Sequence, residues 1–169
     1  MIEEELGDGS PWGIRIRYSH EGDKLLGTGG AVVKALPLLT DPFFVLYGDS
    51  YLPIDYQLPL KAFLGSEKKG LMTVYRNENR YDKSNVWFEN NALKAYSKTQ
   101  RLPQMRHIDY GLSLFSKKAF EDFKLAGKTD LSEVFGKLFA DGELAAFEVS
   151  QRFYEIGSPE GLLELEGYL

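Results

Sequence analysis

The sequence contains no cysteine, and this absence excludes disulfide bonds, thiolate metal sites and cysteine nucleophiles. Histidine is scarce as well, because His20 and His107 are too few for a site in which several imidazoles hold a metal. No apolar run reaches the length of a membrane-spanning helix, and the N-terminus lacks the basic and apolar regions of a signal peptide. We therefore expect a cytoplasmic protein without a membrane partner.

The bulk composition is that of an ordinary globular domain. The chain has 169 residues, of which 43% are hydrophobic and 27% charged, so we expect one domain over residues 1–169 with a real core. Its net charge of −5 argues against nucleic acid as the main partner. The same charge is compatible with a nucleotide, which needs only a local pocket.

Strand-like and helix-like segments alternate along the chain. Apolar runs or strict alternation of apolar and polar residues predict strands at 13–19, 43–47, 71–75, 108–115 and 144–149. Periodicity and capping residues predict helices at 27–39, 55–64, 117–123, 131–140 and 159–169, after a first helical turn at 1–6. Asn90-Asn91 indicates a hairpin between residues 86–88 and 93–96. This alternation predicts an α/β fold with a mixed sheet.

An aspartate follows the most apolar of these strands. The run Phe43-Phe44-Val45-Leu46-Tyr47 is typical of a strand buried on both faces, and it ends at Gly48-Asp49. Open α/β sheets bind ligands at the carboxyl ends of their strands, where a carboxylate often holds Mg²⁺. A cap of a turn or helix is an equally good interpretation of Asp49 from this segment alone.

A glycine-rich segment, Gly27-Thr28-Gly29-Gly30, leads into the first long helix. Its backbone N–H groups could face an anion or the edge of a nucleobase. The spacing matches neither a P-loop nor the dinucleotide-binding G-x-G-x-x-G pattern. The alternative is a tight turn with close packing of helix against sheet.

Four segments, taken together, carry a family resemblance: LLGTGGAV, FFVLYGDS, IDYGLSLF and FYEIGSPEGL. Their order resembles the sugar-1-phosphate nucleotidyltransferases, or nucleoside-diphosphate-sugar pyrophosphorylases, and above all the heptose- and mannose-1-phosphate guanylyltransferase-like members. The resemblance runs from about Gly7 to Leu169. It implies a Rossmann-like, mixed but mainly parallel sheet flanked by helices. It also implies Mg²⁺-dependent transfer of a nucleotidyl group from a nucleoside triphosphate to a sugar 1-phosphate.

The resemblance also implies roles for particular residues. Asp49 and Glu155 match the catalytic metal ligands, although the family usually has aspartate where this sequence has Glu155. The segment that contacts the nucleotide matches Gly27, Thr28, Gly29 and Gly30. Positions at the sugar phosphate match Asn85, Asp109, Tyr110, Gly111 and Gly157.

One family motif does not occur in the sequence. The family's first strand leads into G-G-x-G-T-R-L and then a K-P motif, whose glycines, arginine and lysine hold the triphosphate. This chain resembles the C-terminal two-thirds of the family domain, so we expect the reaction to be incomplete in it alone. We also expect an open sheet edge that drives self-association or is covered by a partner.

Two other functions remain open from the sequence. A non-catalytic module that binds a sugar nucleotide or regulates a partner would explain the missing motif. A glycosyltransferase of related topology is the other alternative. That class typically carries D-x-D at the metal strand, and Asp49-Ser50-Tyr51 lacks the second aspartate.

Overall fold

Residues 2–121, 123 and 128–169 are described by the computed structural model, and they form five α-helices and eight strands. The helices are α1 Ile2–Leu6, α2 Gly27–Ala35, α3 Gln57–Ser66, α4 Leu131–Ala140 and α5 Pro159–Tyr168. The strands are β1 Phe43–Leu46, β2 Ser50–Tyr51, β3 Gly70–Arg76, β4 Val86–Glu89, β5 Ala92–Tyr96, β6 His107–Phe115, β7 Leu144–Val149 and β8 Tyr154–Glu155. Short 3₁₀ turns lie at Ser10–Trp12, Leu36–Leu38 and Lys117–Phe120.

The long strand β6 organises a six-stranded sheet of order β5-β4-β6-β3-β7, in which β1 also pairs with β6. Strand β3 pairs antiparallel with β6 on one side, while β1 and β4 pair antiparallel with it on the other. Strand β7 is parallel to β3, so β1, β3, β4 and β7 all run in one direction. The predicted mixed α/β fold, mainly parallel in strand direction, is confirmed. A separate ribbon is formed by β2 and β8.

Local signals placed several elements correctly. Asn90 and Asn91 have φ angles of 52° and 58°, the left-handed conformation that a two-residue hairpin turn requires. Asp130 caps α4 in a capping box with Glu133. Ser158 caps α5, because its hydroxyl accepts a hydrogen bond from the Gly161 amide at 3.0 Å. These caps fix the starts of two helices where the sequence predicted them.

The core lies between the sheet and α4. Helix α4 buries Val134 and Phe135 completely, and the ring of Phe135 lies 5.5 Å from that of Phe115 on β6. Phe120, from the 3₁₀ turn after β6, packs against Phe115 at 5.2 Å. None of the described helices is long and apolar enough to cross a membrane.

The predicted strand at 13–19 is wrong. This segment pairs with no strand in the described part of the chain, and Ile14 is 59% exposed. Its hydrogen bonds go to the preceding turn, from the Ile16 amide to Asp8 O at 2.7 Å and from the Tyr18 hydroxyl to Gly7 O at 2.6 Å. Alternation describes which side chains are apolar, but a strand also needs a neighbour to pair with.

Burial of β1 on both faces is also wrong. Phe44 is 38% exposed and Leu46 is 45% exposed, whereas Phe43 is buried. Within the described residues β1 has one strand neighbour, β6, so its other edge is open. The apolar run was correctly predicted as a strand, but an edge strand leaves part of such a run in contact with solvent.

Gly111 interrupts the regular pairing of β6 without ending the strand. Strand β6 continues through Gly111, which has a φ of 90°. The register with β3 shifts between Met72 and Val74, opposite this glycine. The glycine therefore produces a bulge, which turns nearby side chains without ending the strand.

Candidate active site

The ribbon of β2 and β8 brings the two predicted metal ligands together. Ser50 is paired with Glu155, and the Ile156 amide donates to the carbonyl of Asp49 at 2.9 Å. The carboxylate of Asp49 also faces Gly157, since a Cβ added to that glycine would lie 3.6 Å from Asp49 Oδ2. Asp49 and Glu155, distant in sequence, thus occupy the same end of two paired strands.

The charges at this ribbon repel each other. Partial burial raises the pKa of Glu155, and the negative charges of Asp49 and then Asp82 raise it further. Repulsion between neighbouring carboxylates is relieved when a divalent cation binds between them. In the described part of the chain no group of three or more His, Cys, Asp or Glu side chains could hold a metal. Two carboxylates nevertheless suit Mg²⁺, which commonly takes its other ligands from water and substrate phosphates.

A pocket of about 150 Å³ adjoins Glu155. Its polar lining comes from the end of β1, the end of β5, strand β6 and the loop before β4. The polar side chains that matter most in it are Ser50, Asp82, Asn85, Lys98, Asp109 and Glu155. Gly111 and Tyr110 also line it. Four of the five residues predicted at the sugar phosphate therefore line one pocket with Glu155, whereas Gly157 is not part of its lining and lies near Asp49 instead.

Asn85, Asp109 and Gly111 form one hydrogen-bonded unit. The Asn85 side-chain oxygen accepts from the Asp109 amide at 3.0 Å, and Asp109 Oδ1 accepts from the Gly111 amide at 3.1 Å. The φ of 90° at Gly111 disfavours any other residue, and a Cβ there would lie 3.3 Å from the ring of Tyr47. These three residues are held rigidly at the pocket wall by their own contacts.

Asp109 has the most perturbed carboxyl group in the pocket. Burial raises its pKa to about 6, while the Gly111 amide and then the charge of Lys98 act in the opposite direction. Burial also raises the pKa of the Tyr47 and Tyr96 phenols, and the charge of Asp109 raises both further. A carboxylate held in such an environment is typical of binding and catalytic sites.

Tyr110 lines the pocket, but its ring belongs to the core. The side chain is 1% exposed and packs against Phe153 and Tyr75 at ring distances of 6.0 and 6.3 Å. Its hydroxyl donates to the carbonyl of Arg152 at 3.4 Å. The phenol is thus already partnered inside the protein, and contact of Tyr110 with a sugar phosphate stays a prediction.

The glycine segment packs against the start of α4. The amides of Gly29 and Gly30 donate to the Thr129 carbonyl at 2.9 and 3.1 Å, and Thr28 Oγ1 accepts from the Leu131 amide at 2.8 Å. A Cβ at Gly27, whose φ is 76°, would lie 2.5 Å from Thr129 O. Close packing therefore accounts for these glycines, and their contact with a nucleotide stays a prediction.

Two charged residues of the pocket, Lys98 and Asp82, have no role implied by the family resemblance. Lys98 is the one basic side chain that lines it within the described residues, and its Nζ lies 3.2 Å from Asp130 Oδ1. Asp82 lines the same pocket and precedes Asn85 in the sequence, whereas Lys98 follows it. Neither residue stands in a recognisable local motif, so only the tertiary fold reveals that they share a site.

Two curated relatives align with most of the chain. The beta catalytic subunit of mannose-1-phosphate guanylyltransferase from Xenopus tropicalis is 28% identical over 169 residues, which is 96% of this chain and 47% of that protein. The D-glycero-alpha-D-manno-heptose 1-phosphate guanylyltransferase of Campylobacter jejuni is 30% identical over 149 residues, covering 88% of this chain and 65% of that protein. This chain thus spans about half the length of the first relative.

The fold is shared with solved nucleotidyltransferase structures. A protein of Bacillus anthracis assigned as a glucose-1-phosphate thymidylyltransferase, in complex with sucrose, superposes with a TM-score of 0.84 at 17% sequence identity. The match covers 99% of this chain and 70% of that one. No protein-family model matches the sequence.

Proposed function

We propose that this chain, a homologue of the sugar-1-phosphate nucleotidyltransferases, carries the metal site and sugar-phosphate pocket of such an enzyme. The reaction would join a nucleoside triphosphate and a sugar 1-phosphate into a nucleoside-diphosphate sugar and pyrophosphate. The pairing of β2 with β8 supports this most, because it brings Asp49 and Glu155 together beside the polar pocket. On this proposal the chain corresponds to the C-terminal two-thirds of the family domain.

The chemistry requires alignment more than acid–base catalysis. An oxygen of the sugar 1-phosphate attacks the α-phosphorus of the triphosphate, a new P–O bond forms, and the bond to the β-phosphate breaks to release pyrophosphate. The attacking phosphate is already ionised, so no side chain has to remove a proton. Lys98 would neutralise charge on the bound phosphate, and the unit of Asn85, Asp109 and Gly111 would orient the sugar.

The residues present fit a magnesium ion. Asp49, which directly precedes β2, and Glu155 on β8 would hold it, since the charge of Asp49 raises the pKa of Glu155 and a cation would relieve that repulsion. A bound Mg²⁺ would supply charge neutralisation between the two phosphate groups. We further propose that the protein works in the cytoplasm, where nucleoside triphosphates and sugar phosphates are available.

The open edge of β1 is the proposed site of association. Its backbone lacks a strand partner within the described residues, and Phe44 and Leu46 expose apolar surface beside it. Another strand, from a second copy or from a partner protein, would pair with this edge and cover that surface. Mass by light scattering tests this, and a monodisperse monomer at high concentration would argue against it.

Pyrophosphate release is the direct test of the reaction. The purified chain would be incubated with Mg²⁺, each of several nucleoside triphosphates and a panel of sugar 1-phosphates that includes mannose 1-phosphate. Asp49→Asn should abolish any release, whereas Asp23→Asn, an exposed aspartate away from the pocket, should leave it unchanged. Release that is independent of Asp49 would refute the proposed site.

The same experiment separates the alternatives. Sugar-phosphate binding that Mg²⁺ does not strengthen and Asp49→Asn does not weaken, without any pyrophosphate release, would favour a non-catalytic binding module. Hydrolysis of a nucleoside-diphosphate sugar in the absence of triphosphate would favour a glycosyltransferase.

A further inference from the structure

Residues 77–84 form a hydrogen-bonded loop along one side of the pocket. The first residue of this loop, Asn77, is completely buried, and its side chain organises the loop. The Asn77 amide group donates to the carbonyl of Asp82 and to Ser84 Oγ, the latter at 3.3 Å. Its side-chain oxygen accepts from the Tyr81 amide at 3.2 Å. A buried asparagine whose side chain makes these hydrogen bonds within its own loop fixes the backbone conformation of that loop.

Further contacts close the loop upon itself. The Ser84 amide donates to Asn79 Oδ1 at 2.9 Å, and the Asn79 amide donates to Ser84 Oγ at 3.1 Å. The amides of Asn77 and Glu78 both donate to the carbonyl of Arg106, at 3.0 and 2.8 Å. Glu78 and Asn79 adopt left-handed backbone angles of 50° and 61°. These hydrogen bonds fix the backbone of the loop, and with it the position from which Asp82 reaches the pocket.

Arg152 ties this loop to the strand that carries Glu155. Its guanidinium lies 4.0 Å from the ring centre of Tyr81 in the loop and 4.4 Å from that of Tyr154 in β8. The same guanidinium donates to Glu164 on α5. The loop and β8 are thus held in a fixed relation, on the two sides of the pocket that they share.

Asp82 is the charged side chain that the loop presents to the pocket. One of its oxygens, Oδ1, accepts from the Lys83 amide at 2.6 Å. The other oxygen has no hydrogen-bond partner among the described residues, which leaves it as an unused acceptor. An ionised carboxylate accepts hydrogen bonds and donates none, so it suits hydroxyl groups and repels phosphate.

We propose that Asp82 determines sugar specificity by accepting hydrogen bonds from ring hydroxyls of the sugar 1-phosphate. Loop 77–84 fixes the backbone that carries Asp82 before the sugar binds. This inference rests on the proposed function. The phosphate would lie towards Lys98 and the hydroxylated part of the ring towards Asp82. Because the loop is rigid before binding, little conformational entropy is lost when the sugar is recognised.

The test compares two ligands that share a phosphate and differ in their hydroxyls. Affinities for mannose 1-phosphate and for cyclohexyl phosphate, which has the same ring size but no hydroxyls, would be measured by calorimetry with Mg²⁺ present. In Asp82→Ala the affinity for mannose 1-phosphate should fall by ~10-fold or more, as expected for loss of a charged hydrogen bond. The affinity for cyclohexyl phosphate should not fall, because this ligand has no hydroxyl for Asp82 to accept from.

Two controls keep the result interpretable. Glu78→Gln removes a carboxylate of the same loop that pairs with Arg76 at 2.9 Å and does not line the pocket, so it should bind both ligands like the wild type. Mn²⁺ affinity without any phosphate should fall by no more than about 3-fold in Asp82→Ala, because the charge of Asp82 acts on Glu155 without the residue being a ligand. Melting temperatures should agree, because the one hydrogen bond of the Asp82 side chain within the described residues is with the adjacent amide.

Each remaining outcome counts against the inference. Equal affinity of Asp82→Ala and the wild type for mannose 1-phosphate would overturn it while leaving the proposed function intact. A loss of Mn²⁺ affinity in Asp82→Ala as large as that in Asp49→Asn would assign the residue to the metal instead. A wild-type protein that binds neither phosphate would contradict the proposed function and this inference with it.

Discussion

The Asp109→Asn substitution should stabilise the protein at neutral pH. Burial raises the pKa of Asp109 from an ordinary value of 3.8 to about 6 in the folded state. A raised carboxyl pKa means that the folded state prefers the protonated form, so stability is lost as the pH rises from about 4 to about 6. Above about pH 6 the folded state carries the full free-energy cost of the buried carboxylate charge.

The size of the effect follows from the same pKa. The rise in the pKa of Asp109 from 3.8 to about 6 corresponds to up to ~3 kcal/mol in the free energy of unfolding, at about 1.36 kcal/mol for each pKa unit. Asparagine is neutral, and its side-chain oxygen can still accept from the Gly111 amide. The variant should therefore melt roughly 6–12 °C higher at pH 7, because 1 kcal/mol corresponds to about 2–4 °C in a protein of this size. At pH 4 the two proteins should melt within about 2 °C of each other.

Thermal unfolding at a series of pH values provides the assay, with Asp130→Ala as the contrasting variant. Hydrogen bonds from Ser132 lower the pKa of Asp130 to about 2, and Asp130 caps α4. Its removal should destabilise the protein at pH 7 by about 1 kcal/mol, with the difference shrinking as the pH falls towards 2. If Asp109→Asn were less stable than the wild type at pH 7, Asp109 would be a structural partner in a network, and the reasoning about its burial would be refuted.

Three further outcomes are expected. Gly157→Ala should keep both its melting temperature and, within about 3-fold, its Mn²⁺ affinity, because the added methyl would lie 3.6 Å from Asp49 Oδ2, an ordinary van der Waals contact. A loss of Mn²⁺ affinity well beyond that would show that the methyl occupies space that the ion needs. Gly27→Ala should lower the free energy of unfolding by at least about 1 kcal/mol, because φ at this residue is 76° and the new Cβ would lie 2.5 Å from Thr129 O. An equally stable variant would show that the start of α2 can shift. The 169-residue chain alone should turn over well below ~1 s⁻¹, because the triphosphate-binding arginine and lysine of the family motif do not occur in its sequence; a faster rate would show that other residues replace them.

Elements set by short-range chemistry were predictable from the sequence. The turn at Asn90-Asn91 and the cap at Asp130 depend on neighbouring residues, and the structure confirms both. The segment at 13–19 failed because its alternation could not reveal whether another strand would lie beside it. Likewise, the apolar run of β1 predicted a strand, but not that one of its edges would be open.

The candidate site was only partly predictable, for a related reason. Asp49 lies directly after Gly48 at the end of the apolar run, Glu155 is followed by Ile156-Gly157, and the family resemblance indicated that the two would converge. No local pattern could show that Thr129 would accept the amides of Gly29 and Gly30. Asp82 was missed as a site residue because it reaches the pocket from a loop without a recognisable motif, and only the packing of the whole fold places it beside Asn85 and Asp109.

The central claim is that Asp49 and Glu155 form one metal site at the sugar-phosphate pocket. Anomalous X-ray diffraction from crystals soaked with Mn²⁺ and mannose 1-phosphate tests this most directly. We expect one Mn²⁺ peak between the two carboxylates, at about 2.0–2.2 Å from an oxygen of each, with the phosphate in contact with the ion or its waters. A peak at another place, or carboxylates that bind no metal while mannose 1-phosphate occupies the pocket, would contradict the account.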